Sequence, residues 1–150
     1  MHKWQILPSI FVLLFVCDEV AAGDKEDVLA TVDAIKAAWM IGDVDAAQKY
    51  FSADFESFEA GGSLLAPLDF EGRKAAFAAG LKFNVQTAHS DVTVYGDTAI
   101  LTEYHMRQIT PPGGTPLSST LRATIVLVKQ KGQWKAAHFH ASHLFPKNLE

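Results

Sequence analysis

Val28, Val32, Ile35 and Trp39 recur at intervals of four, three and four residues. That spacing lays one apolar stripe along a helix and predicts a helix from Asp24 to Ile41. Gly42 follows the last periodic residue, where a helix stop favours a residue without Cβ. Asp43 can then cap a second short helix, VDAAQKYF, with Asp45 near its positive end. Helices joined this tightly fold back on each other. DFESFEA reads as a strand closed by Gly61-Gly62, and SLLAPL as a loop or short extended piece. Pro67 and Asp69 introduce a third helix, Phe70 to about Ala79, in which Phe70, Phe77 and Leu81 can share a buried face.

From Lys82 onward the pattern turns to strand. KFNVQTAHSDVTVY leads into the two-residue turn Gly96-Asp97, and TAILTEYHMRQI returns from it. TPPGGTP, with three prolines, cannot continue a strand. SSTLRATIVLVKQ, the turn KGQ and WKAAHFHASHL complete the chain's regular structure. Helices ahead of an antiparallel meander define an α+β fold. A long twisted sheet curls. We therefore expect a strongly curved antiparallel sheet, a cone closed by three N-terminal-side helices, with a ligand-sized hollow between the layers.

The chain has 150 residues, 49% of them hydrophobic, which is material for one core. Its 13 basic and 17 acidic side chains form no basic stripe, so nucleic acid is not an expected partner. ILPSIFVLLFVC, from Ile6 to Cys17, is too short for a spanning helix. With Val20 and Ala22 ahead of a cut, it reads as a secretory signal peptide over residues 1–22, leaving a domain of residues 23–150. An uncleaved anchor is the alternative. Cleavage removes Cys17, the one cysteine, so the mature domain has neither a disulfide nor a catalytic thiol. The expected location is secreted and periplasmic, with no membrane association after cleavage.

Three segments carry a resemblance. AIKAAWMIGDVDAAQKYFSADF, VYGDTAILTEYHMR and RATIVLVKQKGQWKAAHFHASHL resemble, in order and spacing, the SnoaL-like members of the nuclear transport factor 2-like superfamily. GQWKAAHFHAS is also similar to the association domain of calcium/calmodulin-dependent kinase II. The resemblance spans Asp24 to Leu144. It implies the cone, a pocket and a homodimer packed through the outer sheet face, but no particular reaction. Ile35 stands where the steroid isomerases of this fold have a tyrosine, and Ala60 stands near their base, with Glu59 adjacent. Met106 and Ile125 stand where the kinase domain has its pocket arginines. Neither constellation carries over.

The densest chemistry lies in WKAAHFHASHL. Under strict alternation His138 and His140 project together with Trp134, Ala136 and Ser142, while His143 points away. A zinc site needs three or four ligands. His105 or His89 could supply a third, but the sequence completes no set, and neither metal nor cofactor is expected. His138, His140 and His105 suit proton transfer near neutral pH, with Glu103 or Asp54 as orienting carboxylates. Arg122, if it faces inward, requires Glu103 or an anionic ligand as partner. Trp39 is core or pocket roof, and Tyr104 is a pocket hydroxyl or a half-buried sheet residue. The expected ligand-binding set is thus Trp39, Glu103, Tyr104, His105, Arg122, His138 and His140. The expected function is binding of a small anionic or partly apolar molecule. A cofactor-free isomerase or hydrolase with a histidine base and a structural oligomerisation module are the alternatives.

Overall fold

A computed structural model describes the backbone of residues 17–144 and the side chains of residues 23–144. The expected signal segment lies outside the described residues, apart from the backbone of its last six positions. The elements are α1 (Cys17–Ile41), α2 (Val44–Gln48), β1 (Phe51–Phe58), β2 (Ala66–Pro67), α3 (Phe70–Ala78), β3 (Lys82–Tyr95), β4 (Thr98–Thr110), β5 (Leu117–Gln130) and β6 (Gln133–His143). Among the described residues, no helix is long and apolar enough to cross a membrane.

The stripe on α1 is buried: Val28, Val32 and Ile35 join Leu101, Ile125, Leu127 and Trp134 in the main core. Gly42 ends the helix at φ +75, and a Cβ there would lie 3.0 Å from Phe77 Cδ1. The glycine thus serves both the turn and the close approach of α3. Asp43 and Asp69 cap the next two helices, accepting from the backbone N–H of Ala46 at 2.9 Å and of Gly72 at 2.8 Å. The second helix is shorter than its sequence pattern implied. Phe51 instead opens β1, where it and Phe55 pack edge to face at 4.7 Å. Phe70 and Phe77 are only half-buried, because they stack on Trp39 at the edge of a cavity.

Six strands form one sheet in the order β2-β1-β6-β5-β4-β3. The meander β3 to β6 is antiparallel, as the turn residues imply. Between β5 and β6, Lys131 and Gly132 both adopt positive φ, the mark of a tight two-residue hairpin turn. β1 pairs parallel with β6 and makes the sheet mixed. A parallel neighbour needs a long crossover, which the whole stretch from β2 to β5 provides.

Alternation divides the sheet into two faces. On β4 and β5, Ala99, Leu101, Glu103, His105, Leu121, Ala123, Ile125 and Leu127 are buried on the inner face, where Ala99, Leu101, Ile125 and Leu127 share a core cluster with the α1 stripe. Ile100, Tyr104 and Met106 are exposed on the outer face. Two bulges in the meander reset this phase. In β3 the register shifts between Thr87 and His89, leaving Ala88 unpaired. In β6 it shifts at Ala137, so that Ala136 pairs Leu127 while His138 pairs Val126. Bulges strengthen local twist and bend the strand, consistent with a sheet that wraps towards the helices.

Candidate functional site

The Ala137 bulge corrects the strict alternation expected of the last strand. Trp134 and Ala136 face the core, but one extra residue moves His138, His140 and Ser142 to the outer face. Phe139 and Ala141 take the inner positions, and Phe139 lines the cavity. His138 and His140 instead stand edge-on to Phe58, at 5.9 and 5.7 Å between ring centres. Arg122 alternates with buried Leu121 and Ala123, so it also faces outward. Its Nε donates to Ser142 Oγ at 2.8 Å rather than meeting Glu103. Tyr104 is exposed beside His89, 6.4 Å away. Arg122, Tyr104 and His140 border a shallow polar groove on this outer face.

Of the expected residues, Trp39, Glu103 and His105 line the hollow between sheet and helices. The cavity measures about 130 Å³. Its wall is mainly apolar, with Val32, Ile35, Phe55, Phe83, Ile125 and Phe139 among its members. Trp39 forms one side, held near-parallel to Phe70 at 6.5 Å and Phe77 at 6.2 Å. The Arg73 guanidinium lies 5.9 Å from the Trp39 ring centre.

Four polar residues that the sequence reading missed complete the site: Lys36, Glu59, Arg73 and Arg107. Glu103, with its side chain 1% exposed, accepts from Lys36 Nζ at 2.5 Å and meets His105 Nδ1 at 2.9 Å. Lys36 also donates to Thr87 Oγ1 at 2.8 Å. Burial pushes the Glu103 carboxyl up, but the hydrogen bonds and charges of His105 and Lys36 together hold it below its ordinary value. The carboxylate is therefore ionised. It is an acceptor only, so His105 Nδ1 must donate, and in the neutral ring the lone pair then sits on Nε2.

Farther along, Arg73 Nη2 and Arg107 Nη1 approach the same Glu59 carboxylate at 3.6 and 3.7 Å, longer than hydrogen bonds. Among the described side chains, Arg107 Nε is buried with no hydrogen-bond partner. Burial lowers the Arg107 pKa, Glu59 opposes that, and Arg73 adds to it. The cavity thus holds three basic side chains, Lys36, Arg73 and Arg107, against two carboxylates, Glu59 and Glu103. Arg107, the missed residue on β4, was available from period two: Glu103, His105 and Arg107 are alternate residues and share a face. Lys36 lies four residues after Val32 and three before Trp39, on the edge of the apolar stripe. Among the described residues, no group of three or more His, Cys, Asp or Glu side chains is placed to hold a metal ion.

The fold recurs in solved structures. The association domain of C. elegans CaMKII superposes with a TM-score of 0.66 at 18% identity, covering 83% of this chain and 99% of its own. An NTF2-like protein of unknown function in nutrient uptake from Rhodospirillum rubrum gives 0.67 at 19% identity, with coverage of 79% and 99%. The S. rosetta CaMKII hub gives 0.62 at 26% identity, with coverage of 80% and 96%. No curated protein matches the sequence. Residues 28–146 match the family of the SnoaL-like domain, from Val28 of α1 to just past β6, and the chain belongs to that family.

Proposed function

We propose that this domain binds a small, largely apolar molecule carrying one carboxylate or similar anion, seated in the cone with its charge at Arg107 and Arg73. The single observation that carries this reading is the loose sharing of Glu59 by two guanidiniums, one of which has an unpartnered buried Nε. Unmet buried donors cost roughly 1–3 kcal/mol each. An entering anion would satisfy the guanidiniums and balance the excess positive charge, while its apolar part displaces water from the aromatic wall. Isothermal titration with 3-phenylpropionate and its neutral amide tests this. The acid binds at least about tenfold more tightly than the amide, a difference of about 1.4 kcal/mol, and Arg107→Met removes the preference. Equal affinity for acid and amide, or an Arg107→Met chain that keeps the preference, overturns the reading.

Self-association through the outer sheet face belongs to the same proposal. Tyr104 is 46% and Met106 53% exposed there, and the fold is shared with CaMKII association domains. Light scattering across a concentration series measures it. A strictly monomeric chain at high concentration refutes it.

The apolar run from Ile6 to Cys17 supports export, with the domain working in the periplasm. N-terminal sequencing of the secreted product checks the cut: a chain starting at Gly23 agrees, and an intact N-terminus in the membrane fraction does not.

A further inference from the structure

The cavity contains more than an anion site. Along the inner face of β4, Glu103, His105 and Arg107 stand at alternate positions, about 7 Å apart from one to the next along the strand. The middle residue is tied to the first through Nδ1 at 2.9 Å, and the first is fixed by Lys36 at 2.5 Å. A structural ion pair would require only Lys36 and Glu103. The imidazole adds a base whose tautomer is set by a buried carboxylate, inside a mainly apolar wall and one step along the strand from a guanidinium.

We propose that His105 is a catalytic general base that removes a proton from a carbon acid bound in the cone, with Glu103 as its positioning residue. This rests on the binding reading above, because Arg107 must hold the anionic end for the reacting carbon to reach His105. The substrate class is a small acid with a carbonyl next to an acidic C–H, such as an aryl-substituted 2-oxo acid.

The step is a tautomerisation and needs no co-reactant. His105 Nε2 takes the proton from the carbon next to the carbonyl. The C–H electron pair becomes the new C=C bond, and the carbonyl π pair moves onto oxygen. The imidazolium then returns the proton to that oxygen, giving the enol, or to carbon, regenerating the ketone. Lys36 has three ammonium donors. Glu103 and Thr87 occupy two of them, and the third can face the developing oxyanion. The Lys36–Glu103–His105–Arg107 set comes from this chain's own geometry: all four residues line one cavity.

Phenylpyruvate in D2O is the probe, with loss of the benzylic proton signal followed by NMR and 3-phenylpropionate as the unreactive binding control. The full chain accelerates exchange over buffer by about 10²-fold or more, the usual range for a positioned acid–base group. His105→Gln returns the rate to that of buffer while 3-phenylpropionate still binds. Glu103→Gln lowers kcat and leaves KM for the probe unchanged, a split that general loss of structure does not produce, and Glu103→Asp recovers part of kcat. Wild-type chain that binds 3-phenylpropionate but exchanges phenylpyruvate at the buffer rate overturns the catalytic inference and leaves the binding reading intact. Exchange that survives in His105→Gln also overturns it. Failure of both acids to bind removes both proposals.

Discussion

Replacing Lys36 with methionine keeps much of the side chain's bulk but withdraws the cation from a carboxylate that has almost no contact with water. The two side chains are 15% and 1% exposed, with 2.5 Å between Nζ and Oε2. Breaking such a buried pair by removing one partner costs about 3–5 kcal/mol. Glu103 keeps its contact with His105 at 2.9 Å, which places the expected loss near the lower end, about 3 kcal/mol. With a urea dependence of about 2 kcal/mol per molar, the unfolding midpoint falls by roughly 1.5 M.

The loss also depends on pH, with a defined sign. Burial acts to raise the folded pKa of Glu103, but His105 and Lys36 outweigh it and the net shift is downward. A depressed carboxyl contributes stability that is complete above its unfolded value of about 4.3 and is lost as pH falls through the folded value. Lys36→Met therefore costs most near neutrality. The cost shrinks in acid, because a protonated Glu103 no longer requires a cation. Urea unfolding followed by tryptophan fluorescence, near pH 7 and again at about pH 3.5, measures both quantities. A loss below about 1 kcal/mol near neutrality, or one of equal size at both pH values, refutes the reasoning.

Further predictions concern the frame of the site. Gly42→Ala meets both a φ of +75 and a contact of 3.0 Å to Phe77, and calorimetry is expected to show a loss of more than about 1 kcal/mol. Leu127→Ala, at a position 0% exposed, lowers stability by about 2–5 kcal/mol in chemical denaturation; a loss well under that range would move Leu127 out of the core. Asp69→Ala removes the acceptor for Gly72 N–H and costs about 1 kcal/mol by the same assay. Tyr104→Arg, on the outer face, disperses any assembly seen by light scattering while leaving 3-phenylpropionate affinity unchanged.

Much of the fold was legible because local chemistry and long-range packing agree along most of the chain. The Val28–Trp39 stripe, the Gly42 stop, the Asp43 and Asp69 caps and the hairpin turn at Gly96 each act within a few residues, and each stands where the sequence placed it. The parallel pairing of β1 with β6 was not legible, since no turn joins those strands. The last strand was misread because a single unpaired residue, Ala137, reverses the face of everything after it, while Tyr104 and Arg122 face outward by plain alternation with buried neighbours. Composition carried a warning. Phe139 and Ala141 are apolar while His138, His140 and Ser142 are polar, and that contrast favours turning the histidines outward. Glu103 and His105 were expected at the pocket and line it. They are 3% and 5% exposed, with Lys36 reaching from the helix layer to Glu103 and Glu103 meeting His105.

The most direct test of the account is a crystal structure of the chain with 3-phenylpropionate bound. The ring is expected against Trp39 and Phe139, with its carboxylate on the guanidiniums of Arg107 and Arg73. A ligand seated instead in the outer groove beside Arg122 and His140, with the cone empty, would contradict it.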